Sequence, residues 1–261
     1  MIAWCDERKC NMLKTLGIID GLLTTDRQRR NASRSLGGKT VLEWVVRQMT
    51  DSLQLDGVVV VTDQSEANMF VKMMTPLDVP VYRADATDTL SALSKTLEQF
   101  QAKNCVYLGL DWPLIDPQLI DRLVIAAESN PEGRYAAYQF EDDSRKGRPL
   151  GMFAEWYDVR ALHRANRKAV NPLHRECPGA FFLETSPRET LTLVPAPSQF
   201  YDNDLCMTIE SEDDWDNVIM IFESIDADNI QWSHIAELLL NMPHANRVGL
   251  RPLSPHSVGS H

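Results

Sequence analysis

Short apolar runs alternate with helically spaced apolar positions along the first 110 residues. Leu16–Ile19 is an apolar run that opens into a polar, arginine-rich stretch, and it predicts a buried strand followed by a loop. Leu36 to Lys39 reads as a turn around Gly37 and Gly38, and Thr40 stands where it can cap the next helix. Val41, Leu42, Val45, Val46 and Met49 then recur at helical spacing. Gly57–Thr62 is apolar almost throughout, as expected of a strand covered on both faces. A helix from Ser65 to Met74 and a short strand from Val79 to Tyr82 come next. Asp88 can cap a helix over Thr89–Phe100, with Leu90, Leu93 and Leu97 on one side. Cys105–Leu110 is the fourth strand and runs into Asp111. This alternation predicts βαβ units and a mostly parallel sheet.

The second half is less regular. Tyr135–Phe140 predicts a strand, 141–148 a polar turn, and Gly151–Phe153 another strand. Trp156–Ala169 reads as a helix, Thr190–Val194 and Leu205–Ile209 as strands, and Trp215–Ile225 and Ser233–Asn241 as helices. The expected organisation is an extension over 1–15, one domain over 16–246 and a loose tail over 247–261, where periodicity is lost.

The chain has 261 residues, 44% of them hydrophobic and 24% charged, in the range of a soluble globular protein. No uninterrupted apolar run reaches the roughly 18 residues of a membrane span, and the mixed-charge start from Met1 to Cys10 does not read as a secretory signal. The five cysteines are odd in number and scattered, which predicts a reducing, cytoplasmic setting rather than a disulfide framework. A net charge of −11 argues against nucleic acid and acidic membranes as partners. A nucleotide needs only a local basic pocket, and Arg27, Arg29, Arg30 and Arg34 form the densest basic cluster.

In a parallel sheet, ligands bind at the carboxyl ends of the strands. Three features fall there: the loop after Ile19, Asp88 and Asp111. Asp111 can hold Mg²⁺ together with phosphate oxygens, or it can form the turn before Pro113. Asp116 before Pro117 is a helix cap with proline at the first helical position. Trp112 can narrow a pocket, stack on a base or simply pack. Lys39 can touch phosphate or start an exposed turn.

The segment Gly109–Pro117 resembles the "G-D-C-P-L-I-D-P" stretch of the cytidylyltransferases that activate acidic sugars, in particular the spore-coat polysaccharide biosynthesis branch. Other segments match in the same order. Ile18–Ile19 and Leu36–Lys39 bracket the nucleotide loop, Asp88–Leu90 matches "D-V-L", and Lys146–Arg148 falls on a basic turn. Thr208–Trp215 is similar to "T-V-D-T-P-E-D-L", and Ser233–Pro243 to the closing helix.

The resemblance implies a three-layer α/β/α, Rossmann-like nucleotide-diphosphosugar transferase fold with a mostly parallel mixed sheet. It implies transfer of a nucleotidyl group from CTP, or another NTP, to an acidic sugar with release of pyrophosphate. It further implies Mg²⁺ held by Asp111 and Glu210, and nucleotide contacts from Asp20, Gly21, Thr24, Thr25, Arg27 and Asp88. Arg27 and Asp111 would serve the reaction directly, and Arg148 would grip the sugar carboxylate. The family often forms dimers, so a homodimer is an expectation. From the residues alone, Glu210 is also an exposed acid at the start of a helix.

The loop departs from the family pattern "Q-A-R-x-G-S-x-R-L-P-x-K". Its first arginine falls on Leu22, its lysine on Asn31 and its Gly-Ser on Thr24–Thr25; Arg27 keeps the second arginine. One cation aimed at developing charge can contribute a few kcal/mol, or about 10²–10³ in rate. Arg29 and Arg30 can substitute for a lost cation or stand as solvated loop charges. Two readings therefore stand: an active nucleotidyltransferase resting on Asp111, Glu210, Arg27 and Asp88, or an impaired homologue that binds a nucleotide or sugar and regulates.

Overall fold

The computed structural model describes residues 12–23, 25–62, 67–76, 78–110, 112–139, 153–197, 209, 211–225 and 230–241. The first half follows the alternation read from the sequence. β1 (Leu13–Asp20), β4 (Gly57–Thr62), β5 (Val81–Arg83) and β6 (Ala102–Gly109) are parallel neighbours. Helices α2 (Val41–Thr50), α3 (Ala67–Met74) and α4 (Thr89–Phe100) connect them. Between β1 and α2 lie α1 (Asp26–Ser33) and a small hairpin of β2 (Ser35–Leu36) and β3 (Lys39–Thr40). The hairpin turns on Gly37 and Gly38, whose φ values of 57° and 82° belong to the left-handed region that glycine enters without steric cost.

The second half completes a seven-stranded sheet of order β5-β4-β1-β6-β8-β7-β9. It adds β7 (Tyr135–Gln139), β8 (Glu155–Asp158) and β9 (Leu191–Pro195). β8 is antiparallel to both β6 and β7, while β9 is parallel to β7, so β8 alone reverses direction among the described strands of this sheet. The helices are α5 (Pro117–Glu128), α6 (Val159–Lys168), α7 (Pro172–Glu176), α8 (Pro178–Thr185), α9 (Glu212–Ser224) and α10 (Trp232–Asn241).

Alternation along each strand divides the core between two sheet faces. Ile19, Val58, Val60, Val106, Leu108, Ala136 and Trp156 lie in one cluster with residues of α2, α5, α9 and α10. Leu16, Ile18, Val59, Val61, Cys105, Tyr135 and Tyr157 lie in the other with residues of α4, α6 and α8. The architecture is the expected α/β/α arrangement with a mostly parallel mixed sheet.

Three local expectations are corrected. The arginine-rich stretch after β1 is a helix rather than a loop. Thr25 opens it with a capping box to Gln28, and only Asn31 and Ala32 of it are buried, so the run shows no apolar period. The helix read over Trp156–Ala169 begins at Val159, because Trp156 and Tyr157 pair with Val106 and Cys105 in the sheet and Asp158 caps the helix from there. Phe153 lies outside any strand, while Gly151 lies outside the described residues. The caps proved local: Thr40, Asp88 and Asp116 each accept a backbone N–H at the start of a helix, as read from the sequence.

No helix among the described residues is long and apolar enough to cross a membrane.

Candidate functional site

The chain leaves β1 outward to β4 and β5, then returns to β6 on the other side of β1. The topological switch point therefore lies between β1 and β6, where open α/β sheets hold ligands beyond the strand ends. Asp20 stands level with Gly109 across this pair. The chain leaving Asp20 and the chain leaving Gly109 thus emerge side by side.

Asp20 is tied down locally. Its Oδ1 accepts the Leu22 N–H at 2.9 Å, and its Oδ2 accepts the Tyr107 hydroxyl at 2.8 Å. Gly21 continues the ladder: its N–H donates to the Val61 carbonyl at 2.6 Å, and a Cβ there would stand 2.6 Å from that oxygen. Only glycine fits so close to a neighbouring backbone. Thr25 caps α1 by accepting the Gln28 N–H at 3.2 Å. Arg27 is exposed on the first turn of α1. Arg29 bonds Asp26 at 2.6 Å, and Arg30 is exposed. Thr24, Asp111, Arg148 and Glu210 lie outside the described residues, as does the strand expected at Leu205–Ile209 except for its last residue.

Asp88 caps α4 through the Ser91 N–H at 2.8 Å and meets the Arg175 guanidinium at 2.9 Å. Arg175 also donates to the Asn166 carbonyl of α6 at 2.7 Å, so α7 is clamped to α6 as well as to the start of α4. Burial pulls the Asp88 carboxyl upward, but Arg175 and the Ser91 bonds outweigh it and hold the group below the ordinary carboxylate range. Next to it, the Thr89 hydroxyl stands 3.4 Å from both Asp20 Oδ2 and Glu176 Oε2. One hydroxyl proton serves only one of these acceptors at a time. Burial, opposed by the Leu22, Tyr107 and Thr89 bonds, pushes Asp20 up; burial and the charges of Asp88 and Asp20 push Glu176 up. Glu176 had no assigned role in the sequence reading, because α7 is only five residues long and lacks a readable period.

A second half-buried carboxylate escaped the sequence reading altogether. Glu155 accepts the Tyr135 and Tyr157 hydroxyls, each at 2.6 Å. It packs against Gly179 in the first turn of α8, where an added Cβ would meet the carboxylate and stand 2.7 Å from the Tyr135 hydroxyl. Burial raises Glu155 above its usual range, against the two tyrosine bonds.

The cationic positions of the family loop are built differently here. Leu22, at 9% exposure, belongs to the apolar cluster on the α4 side and lines a small recess with Asp20, Thr89 and Tyr107. Asn31 is buried, and its amide donates to the Ile209 carbonyl at 2.6 Å. Trp112 is buried with its ring against Gly109, so of the three readings it packs. Lys39 lies over the Trp44 ring at 4.5 Å. Among the described residues, no group of three or more His, Cys, Asp or Glu side chains is placed to hold a metal.

The MobA-like NTP transferase domain family matches residues 28–177, more than half of the chain. The chain belongs to this family. An uncharacterized protein of Methanocaldococcus jannaschii is 23% identical over 237 residues, which cover 90% of this chain and 94% of that protein. A 3-deoxy-manno-octulosonate cytidylyltransferase of Leptospira interrogans is 28% identical over 127 residues, 46% of this chain and 49% of that enzyme. The structure of a cytidylyltransferase from Leptospira borgpetersenii superposes with a TM-score of 0.75 at 17% identity, covering 94% of this chain and 98% of that one. At that identity the likeness shows the fold, which is that of the nucleotidyltransferases.

Proposed function

We propose that the chain is a nucleotidyltransferase of the cytidylyltransferase type, joining CTP or another NTP to an acidic sugar for surface polysaccharide synthesis. The observation that carries this reading is the switch point between β1 and β6, which sets the nucleotide loop beside the strand that leads to Asp111. The relatives named cytidylyltransferases support the nucleotide, and the one that acts on 3-deoxy-manno-octulosonate supports an acidic sugar.

In this reading the sugar oxygen attacks the α-phosphorus and pyrophosphate leaves. The chain supplies positioning and charge stabilisation. Arg27, on the exposed first turn of α1, faces the developing charge, and Arg148 grips the sugar carboxylate. Asp111 and Glu210 would hold Mg²⁺. Two carboxylates are a donor set suited to that ion, which would neutralise phosphate charge when bound. The spore-coat branch of the cytidylyltransferases remains part of this proposal, as does work in the reducing cytoplasm.

A second reading is favoured by Leu22 and Asn31, the two positions where the resembled family carries cations. One is now apolar and the other is committed to a backbone carbonyl. A protein built so can bind nucleotide without turnover. Pyrophosphate release measured with each NTP, Mg²⁺ and a panel of acidic sugars separates the two. The enzyme reading expects turnover that Asp111→Ala lowers by about 10³ or more. CTP binding by calorimetry without any turnover would establish the binding protein instead.

A further inference from the structure

Helix α1 is polar along most of its length, yet Asn31 on it is 3% exposed. A buried amide in a native core is held by hydrogen bonds. The Asn31 amide reaches 178 residues along the chain to donate to the Ile209 carbonyl at 2.6 Å, and Ile209 is itself fully buried. At the end of α1, the Arg34 guanidinium pairs with Glu212 and lies over the Trp215 ring at 4.8 Å. Both partners of this contact are locally rigid. Thr25 and Gln28 form a capping box at the start of α1, and Ser211 and Asp214 form another at the start of α9.

We infer that Asn31 and Arg34 make α1 a latch that fixes the segment 209–215 to the nucleotide loop, with Asn31 a positioning residue and not a ligand of the substrate. That segment carries Glu210 in the sequence. Asparagine carries no charge and supplies a fixed link between α1 and the start of α9. The consequence for a nucleotide site rests on the proposed function, whereas the latch itself does not depend on activity.

Hydrogen exchange of the full chain tests it without ligand. Asn31→Leu keeps the branched side-chain skeleton and loses the donor, and Arg34→Ala removes the second contact from a partly exposed position. Both are expected to speed exchange of the amides at 213–216 about tenfold, the effect of losing one ordinary hydrogen bond, with the amides of β1 and β4 unchanged. Wild-type rates at 213–216 in both variants would overturn the latch. Should Asn31→Leu fail to fold, Arg34→Ala alone decides. A second arm adds CTP. The latch expects protection to spread from α1 to 213–216 in the wild type and to stop at α1 in Asn31→Leu. Protection that reaches 213–216 in that variant counts against it. Absence of CTP protection anywhere in the wild type would strike the nucleotide reading and leave the apo result to judge the latch.

Discussion

The two faces of the sheet solve the same packing problem with different chemistry. The face covered by α2, α5, α9 and α10 is mainly aliphatic and aromatic, with Trp44 and Phe222 meeting edge to face at 5.1 Å, and its buried Asp116 is answered by backbone N–H groups of Gln118 and Trp232. The face covered by α4, α6 and α8 half-buries two carboxylates, Asp20 and Glu155, each answered by tyrosine hydroxyls. Strand alternation produces the difference: Asp20 comes two positions after Ile18, and Glu155 precedes Tyr157 by two, so all four side chains point to the same face. Apolar contacts gain stability from area and do not titrate, whereas the acids Asp20 and Glu155 make stability on their face depend on pH, close to the strand ends where ligands bind.

The largest expected effect tests the apolar face. Trp44→Ala removes a side chain at 3% exposure whose indole N–H also donates to the Leu36 carbonyl at 2.6 Å. A loss of about 3–5 kcal/mol is expected, and denaturant melts at several pH values should give the same loss at each. A loss that varies with pH would erase the contrast between the faces.

Next in size is Glu155. Glu155→Ala leaves two tyrosine hydroxyls without their acceptor and should cost about 1–3 kcal/mol for each buried group. Glu155→Gln separates charge from shape. Because the native carboxyl is raised above its unfolded value, the native state holds a proton more readily. Wild-type stability is therefore greatest below the ordinary glutamate range and declines as pH rises through the raised native value. Glu155→Gln lacks this decline, so its stability relative to the wild type should grow as pH rises across that window. Parallel pH profiles for the two proteins would show that the carboxylate is not the titrating group.

The smallest effect is expected at Asp88, where cap and ion pair meet. Asp88→Ala should cost about 1–2 kcal/mol at neutral pH. The sign is opposite to that of Glu155. The Asp88 carboxyl is held low, so its contribution is complete above the ordinary aspartate range and disappears as acid carries the pH down through the depressed native value. Thermal melts of wild type and Asp88→Ala should therefore converge in acid.

Much of this architecture was legible in the sequence because its causes are local. The four parallel strands of the first half arise from short apolar runs, and the caps at Thr40, Asp88 and Asp116 from side-chain oxygens one residue before a helical pattern. The stretch after β1 reads as a loop in the sequence but holds α1, since a helix that buries only Asn31 and Ala32 has no apolar stripe to read. β8 was absorbed into the next helix because Trp156 and Tyr157 fit either period until their pairing with β6 decides.

Sequence by itself determined the alternation of elements and the identity of the residues at the strand ends. Tertiary structure alone decided what those residues touch. Tyr135 stands opposite Tyr157 only because β7 and β8 pair, which brings two hydroxyls to one carboxylate. Asn31 and Ile209 are far apart in the chain and meet only when α1 packs beside the start of α9. Propensity and periodicity act over a few residues, whereas the partner of a buried polar group is chosen by the packing of distant elements. The amide at position 31, a cation in the resembled family, becomes in the fold a link between α1 and the backbone just before α9.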